Sequence, residues 1–421
     1  MGRDAQAAVA RPGGGADDDA SWKDDPWLGV FPPELSRQPD PYRLLARLRQ
    51  YDPVNETPIG VFRLTRYDDV VRMLKEVPSG VRFADGSTFS GDLPLPGGPS
   101  EFILQEDPPD HTRLRKLVSQ AFRPRAMDRL RARVEVLTDE LLDRVAERGE
   151  MDVIADLALP VPSTVICEMM GVPIADREKF TEWTSATTHL LAALLSPADV
   201  VERGIAAVKE LTGYFNALVE ERRKRLGDDI LSDLIRAEEG GDRLSPSELL
   251  SQSIGLLIAG FETTIGLIGN GVLALARHPD QLALLRADPG LITGAVEECL
   301  RYDGPILLSV RITREDTRFG DKVIPADRAV MCMLAAANHD PARFDDPDHF
   351  DIRRTDNEHL AFGGGVHFCL GAHLARMEAQ VAIGGLVRRF GALELRSDEV
   401  VWGRSLFRVL GSLPIGLERA R

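Results

Sequence analysis

The sequence predicts a mainly α fold with small β-sheets, and three observations carry that expectation. Residues 127–235 place apolar side chains at three- and four-residue spacing almost throughout. Residues 245–278 read as one very long helix: Ser245-Pro246-Ser247-Glu248 offers a capping serine, a first-turn proline and a glutamate three after the cap, and Pro279 stops it. At about 1.5 Å per residue it runs on the order of 50 Å, enough to cross a domain. Strand signals are short, at Val61-Phe62-Arg63-Leu64-Thr65 and in pairs around 318–335.

At 421 residues, length alone suggests two or three domains. Charged residues at 28% and hydrophobic ones at 43% describe a globular chain able to bury a large core. A net charge of −15 argues against nucleic acid, since phosphate repulsion would go unbalanced. Cys167, Cys299, Cys332 and Cys369 are scattered, which suits a reducing cytoplasm better than a disulfide framework. Residues 1–25, rich in Ala, Gly and Asp, are expected to be a disordered tail with neither a signal sequence nor a membrane anchor. The longest apolar run, 254–276, is interrupted by Glu262 and Asn270 and reads as a core helix rather than a membrane span.

In chain order, residues 42–48 form an amphipathic helix, 61–65 a strand and 67–74 a short helix. Residues 79–100 are rich in Gly, Pro and Ser without a period, as in a disordered segment or a functional lid, the lid being the preferred reading. Asp107-Pro108-Pro109-Asp110 opens a helix that sets His111 and Arg115 on one face, either a solvated basic face or a pair for carboxylates. Residues 184–195 are apolar, carry His189, and read by default as a core helix. Inside the long helix lies Ala259-Gly260-Phe261-Glu262-Thr263-Thr264, where a buried carboxylate must be paired or functional to justify its desolvation. Glu298 and Arg301 share a helical face, a weak signal on its own. An apolar strand-like segment at 305–310 precedes Arg311, and Pro325-Ala326-Asp327-Arg328 is turn chemistry between short strands.

The C-terminal third is organised around Phe362-Gly363-Gly364-Gly365-Val366-His367-Phe368-Cys369-Leu370-Gly371. Leu370, Leu374, Met377, Val381, Leu386 and Phe390 then recur at helical spacing, so Cys369 stands at or just before a helix N-terminus. Exposed amides and the helix dipole lower a thiol's pKa there. The glycines permit φ > 0 and close backbone approach. On residue types alone, three readings stand. Cys369 is a buried structural cysteine, or a zinc ligand with His359, His367 and His373, although paired ligand spacings are missing, or an axial thiolate to haem iron.

The run resembles the haem-binding signature of the cytochromes P450: Phe, two residues, Gly, one residue, a basic residue, one residue, Cys, one residue, Gly. Phe362, Gly365, His367, Cys369 and Gly371 meet it, with Gly363 in the same loop. The sextet at 259–264 is similar to the family's oxygen-activation motif, with Ala259 and Gly260 against the haem and Glu262 and Thr263 as acid and alcohol; Asp is the commoner acid there. Glu298 and Arg301 resemble the family's Glu-x-x-Arg, whose third member would be Arg354 rather than Arg353. His111 and Arg115 match the pair that binds the haem propionates, and Arg311 and His367 would complete that clamp. The resemblance makes Leu256, Ile306, Leu307 and Leu308 substrate-wall candidates, and brings Leu406 and Phe407 into the cavity on a hairpin tip.

This resemblance spans roughly residues 40–417 and overrules the length argument: it implies one P450 catalytic domain at 26–421, with haem between the long central helix and the helix following the Cys loop. It further implies a cytoplasmic haem-thiolate monooxygenase carrying heme b (iron protoporphyrin IX). Such an enzyme inserts one atom of O2 into a C–H bond of a hydrophobic terpenoid, steroid, fatty acid or polyketide. Electrons would come from NAD(P)H through a reductase and a ferredoxin or flavodoxin docking near the basic residues Arg113, Lys116 and Arg123 of a monomer. A peroxide-driven hydroxylase is the nearest variant, against which the Glu262-Thr263 pair argues. A non-catalytic, zinc-stabilised or haem-free binding protein is the alternative of another class, which metal analysis would separate.

Overall fold

The apolar helix at the centre and the short strands near both ends of the chain determine the layout. The computed structural model describes residues 35–89, 94–95, 98–99, 101–120, 122, 124–190, 198–239, 242–403 and 405–419. The tail at 1–25, Arg123 and part of the 79–100 and 184–195 stretches lie outside them.

Helix α1 (Tyr42–Tyr51), strands β1 (Val54–Glu56) and β2 (Phe62–Leu64), and α2 (Tyr67–Lys75) follow the expected order. The 79–100 segment is less irregular than its composition suggests. Strand β3 (Ser79–Gly80) joins a sheet, and β4 (Pro94–Leu95) pairs with β5 (Gly98–Pro99). Next come α3 (Asp110–Ser119), α4 (Pro124–Ala146), β6 (Glu150–Asp152), α5 (Pro160–Met169), α6 (Arg177–Thr188), α7 (Ala198–Lys224) and α8 (Ile230–Arg236), then the small hairpin β7 (Glu238–Glu239) and β8 (Asp242–Arg243). Strand β6 interrupts the helical 127–235 region; of the apolar 184–195 stretch, 184–188 lie in α6 and 189–190 in a following 3-10 turn.

Helix α9 (Pro246–Arg277) begins at the expected capping box: Ser245 Oγ accepts from the Glu248 amide at 3.1 Å, and the Glu248 carboxylate accepts from the Ser245 amide at 2.7 Å. Its length and hydropathy would allow it to cross a membrane, but 83% of its most apolar window is buried by the other helices, as in a core helix. Helices α5, α6 and α7 pack on it from one part of the chain, and α11 (Ile292–Asp303) and α13 (Ala372–Arg389) from another. Between them lie α10 (Pro279–Ala287), β9 (Ser309–Thr313), β10 (Thr317–Phe319), β11 (Lys322–Ile324), β12 (Ala329–Cys332) and α12 (Leu334–Ala337). The apolar 305–310 segment becomes a strand only from Ser309; its first half runs extended without a ladder partner.

One five-stranded sheet has the order β1-β2-β12-β9-β3, with β12 parallel to β2 (Val330 opposite Phe62) and the other pairs antiparallel. After α13, β13 (Phe390–Leu395) pairs with β16 (Pro414–Arg419), which also takes β6. The hairpin β14 (Val401–Trp402) and β15 (Leu410–Ser412) carries the loop containing Ser405 to Arg408. The largest apolar cluster surrounds α9 and α13, and two smaller ones lie along the five-stranded sheet.

Candidate active site

The cysteine loop is shaped by its glycines. Gly363 and Gly365 have φ of +69° and +67°, and a Cβ on Gly365 would collide with the Leu74 carbonyl at the end of α2. The Cys369 amide donates to the Phe362 carbonyl at 3.1 Å, closing the turn three residues before α13 begins. The Gly371 amide points at the sulfur. Arg115, on α3, donates through Nη2 to the Phe368 carbonyl at 2.6 Å. Arg376 lies over the Phe362 ring at 4.4 Å and is anchored on Glu297 at 2.7 and 2.8 Å.

The expected lowering of the thiol pKa is reversed. Burial pushes Cys369 up, and the Gly371 amide, Arg115 and Arg376 only partly pull it back. Desolvation of a sulfur anion outweighs a few dipoles and a distant guanidinium. A cation at the sulfur is what holds such a thiol deprotonated.

Beside this loop, the His111 and His367 rings approach to 4.3 Å between centroids. Both nitrogens of His111 and Nδ1 of His367 are buried and have no hydrogen-bond partner among the described residues. Burial, then Arg311, His111 and Arg115, depress His367 to about 3. Arg311 is itself buried, and Nη1 is held by the Ser309 hydroxyl at 2.9 Å and the Val310 carbonyl at 2.8 Å. The acid acting on His111 and Arg311 is Asp107, which is already engaged by Arg314 at 2.5 Å and by the Val81 amide at 2.8 Å. Buried donors without acceptors are costly. Two guanidinium groups and two imidazoles converging this way fit a ligand bearing carboxylates next to the thiol, as haem does.

Helix α9 packs against α13, the helix that follows the cysteine loop. From Glu248 to Leu275 every residue is buried except Ala259, Gly260 and Thr263, which share one face. The Thr263 hydroxyl donates to the Ala259 carbonyl at 2.9 Å. Glu262 is buried on another face, and its Oε2 accepts from Ser405 Oγ at 2.6 Å. Burial raises its pKa, against lowering by the Ser405 and Ser185 hydroxyls. Neither serine was legible as a site residue, because no spacing links 185 or 405 to 262.

Glu298 and Arg301 are bidentate at 2.7 and 2.8 Å, with both side chains at 0% exposure. Arg354 joins Glu298 at 3.3 Å, whereas Arg353 is exposed and reaches only Asp351. Glu298 also accepts from the Asp351 amide and from Asn357, and Arg301 donates to the carbonyls of Asn338, Pro347 and His349. This network fixes the loop that leads into Phe362.

The apolar wall candidates divide. Ile306, Leu308, Leu406 and Phe407 keep part of their surface, while Leu307 is packed into the sheet core and Leu256 into the helical core. The four zinc-type residues are not assembled. His359 bonds Glu297, His367 faces His111, and His373 is on the exposed side of α13. Among the described residues no group of three or more His, Cys, Asp or Glu stands at metal-binding distance. Arg113 is not free for a partner, being paired with Glu248 and Asp242, whereas Lys116 is exposed.

The family model described as Cytochrome P450 matches residues 62–289 and 290–401. The chain belongs to the cytochrome P450 family. It is 44% identical to Cytochrome P450 107B1 of Saccharopolyspora erythraea over 89% of this chain and 95% of that one. It is 41% identical to 6-deoxyerythronolide B hydroxylase of the same organism, over 90% and 96%. Among solved structures, P450BioI in complex with hexadec-9Z-enoic acid ligated acyl carrier protein superposes with a TM-score of 0.84 at 35% identity, covering 92% of this chain and all of that one. The fold is the P450 fold, and the protein is a haem-thiolate monooxygenase that uses O2, an organic substrate and redox partners.

Proposed function

We propose that this P450 hydroxylates an unactivated C–H bond of an apolar small molecule held between the Ala259-Gly260-Thr263 face of α9 and the Ile306, Leu308, Leu406 and Phe407 side chains. The observation that carries this reading is the interruption of an otherwise buried helix at those three positions, on a helix that packs against the one following the cysteine loop. Terpenoid, steroid, fatty-acid and polyketide skeletons all suit such walls. The relative named as a macrolide-precursor hydroxylase makes a polyketide lactone the first compound to test.

Cys369 would supply the thiolate ligand to the haem iron. His111, Arg115, Arg311 and His367 would receive the haem carboxylates, and Phe362, Gly363 and Gly371 shape the loop that carries Cys369. When bound, haem supplies dioxygen activation and C–H oxidation, which a thiolate ligand favours by promoting O–O cleavage. The protein's own share is positional. Apolar side chains orient the substrate and exclude water, the Thr263 hydroxyl steers protons from the α9 side, and Glu262 is the acid that hands them on. Residues 26–421 act as one catalytic domain, a cytoplasmic monomer receiving NAD(P)H electrons through a ferredoxin or flavodoxin near Lys116.

The test is spectroscopic. Reduced protein under carbon monoxide should show the red-shifted Soret band of thiolate ligation, and Cys369→His should move it to the histidine-ligated position. An unchanged band in that variant would refute the assignment. Polyketide, steroid and fatty-acid panels, scored by the spin-state shift on displacing iron-bound water, then identify the substrate class.

A further inference from the structure

The β14–β15 hairpin is fastened to the rest of the molecule with unusual thoroughness. Arg408 donates to the carbonyls of Ser36, Gln38 and Pro39 and to the Asp303 carboxylate at 2.5 Å, and stacks on Trp402 at 3.6 Å. Asn270 of α9 donates to the Arg408 carbonyl at 2.9 Å, and Ser36 Oγ donates to the Ser405 carbonyl at 3.2 Å. These bonds set the backbone around Ser405 relative to α9.

The Ser405 hydroxyl then has little freedom. It accepts from the Phe407 amide at 3.1 Å, so its single proton is directed to its other partner, Glu262 Oε2 at 2.6 Å. Both side chains are buried, at 8% and 7% exposure. Among the described residues no charged group acts on Glu262, whose side-chain partners there are the Ser405 and Ser185 hydroxyls. The direction of the Ser405 hydrogen bond therefore orients the carboxyl.

We propose that Ser405 is a positioning residue that fixes the orientation of the Glu262 carboxyl, tying the hairpin that carries Leu406 and Phe407 to the acid of α9. This deepens the reading of Glu262 as the proton-handling acid and rests on it only for its effect on turnover. A ligand pressing on Leu406 or Phe407 is thus coupled to Glu262 through one hydroxyl.

The experiment uses the resting holoenzyme. Infrared carboxyl bands of Glu262 are taken as the difference between wild type and Glu262→Gln, and the same difference is measured on a Ser405→Ala background. Positioning by Ser405 predicts a displaced band, restored by Ser405→Thr. Ser36→Ala, which removes one of several bonds to the hairpin and keeps the Ser405 hydroxyl, should displace the band less than Ser405→Ala does. Coupled product formation should fall roughly three- to tenfold in Ser405→Ala, the size one hydrogen bond carries, with no further fall when Glu262→Gln is added. An unmoved band in Ser405→Ala, or an equal displacement in Ser36→Ala, overturns the proposal. A displaced band together with unaltered coupling in Glu262→Gln leaves Ser405 as the positioning residue and removes Glu262 from proton handling.

Discussion

At Cys369, a buried sulfur near two guanidinium groups and one amide is still raised in pKa, so those contacts alone do not make a thiolate. They shield and aim the sulfur, and the metal does the rest. At Thr263 the hydroxyl already has a protein acceptor in the Ala259 carbonyl, so it can turn toward a ligand only by giving up that bond. Thr263→Ala should therefore bind substrate normally but divert reducing equivalents to peroxide. The check is product formed per NAD(P)H consumed, and equal coupling in the two proteins would reject the role. The residues legible in the sequence were those with a rigid spacing: Cys369 in its glycine run, Glu262 in an apolar helix, Arg354 rather than Arg353. Ser405, Ser185 and the Arg376–Glu297 support were not, because each is joined to its partner across the fold and carries no local pattern.

Elements behave according to how their buried charges are matched. In α11, Arg301 and Glu298 are wholly buried and saturated with partners. Arg301→Ala removes the bidentate partner of a wholly buried carboxylate and leaves it Arg354, Asn357 and the Asp351 amide, at about 3 kcal/mol. It should lower the unfolding free energy from denaturant titration by that amount and reduce haem content. In α13, Glu378 is buried, its Oε2 has no partner, and burial alone pushes its carboxyl up to about 8. The unfolded chain sheds that proton in the ordinary carboxylate range, near 4.3. Between the two values the folded state holds a proton that the unfolded state has lost, so stability falls as pH rises. Glu378→Gln should flatten melting temperature against pH from about 5 to 8. Helix α9 was fully legible, down to its reciprocal cap, because capping is local chemistry. Strand β6 was not: three residues are too few to show alternation, and β16, which holds it, lies at the other end of the chain. Arg113 read as free charge for the same reason, its partners Glu248 and Asp242 being far along the chain.

In the whole molecule, the site is where helices around α9 meet the five-stranded sheet, with side chains from α3, β9, the cysteine loop and α13 closing on one place. Among the described residues, the acid acting on the converging histidines and arginines is Asp107, which Arg314 already engages. Cofactor removal should therefore destabilise the whole fold. By mass action, a ligand present at about a thousand times its Kd adds roughly 4 kcal/mol. Calorimetry of the haem-free and reconstituted proteins tests this, and coincident melting would show that the cluster contributes nothing to cofactor retention. The net charge of −15 bears on solubility and encounter with partners and had no power to indicate this local excess of base.

The parallel pairing of β2 with β12 also bears on biosynthesis. The early strand leaves the ribosome long before its neighbour has been translated, and the sulfur emerges later still. Pigment loading is consequently a late step, performed on an almost finished polypeptide, and the nascent chain must be kept from aggregating through its uncovered sheet edge until then.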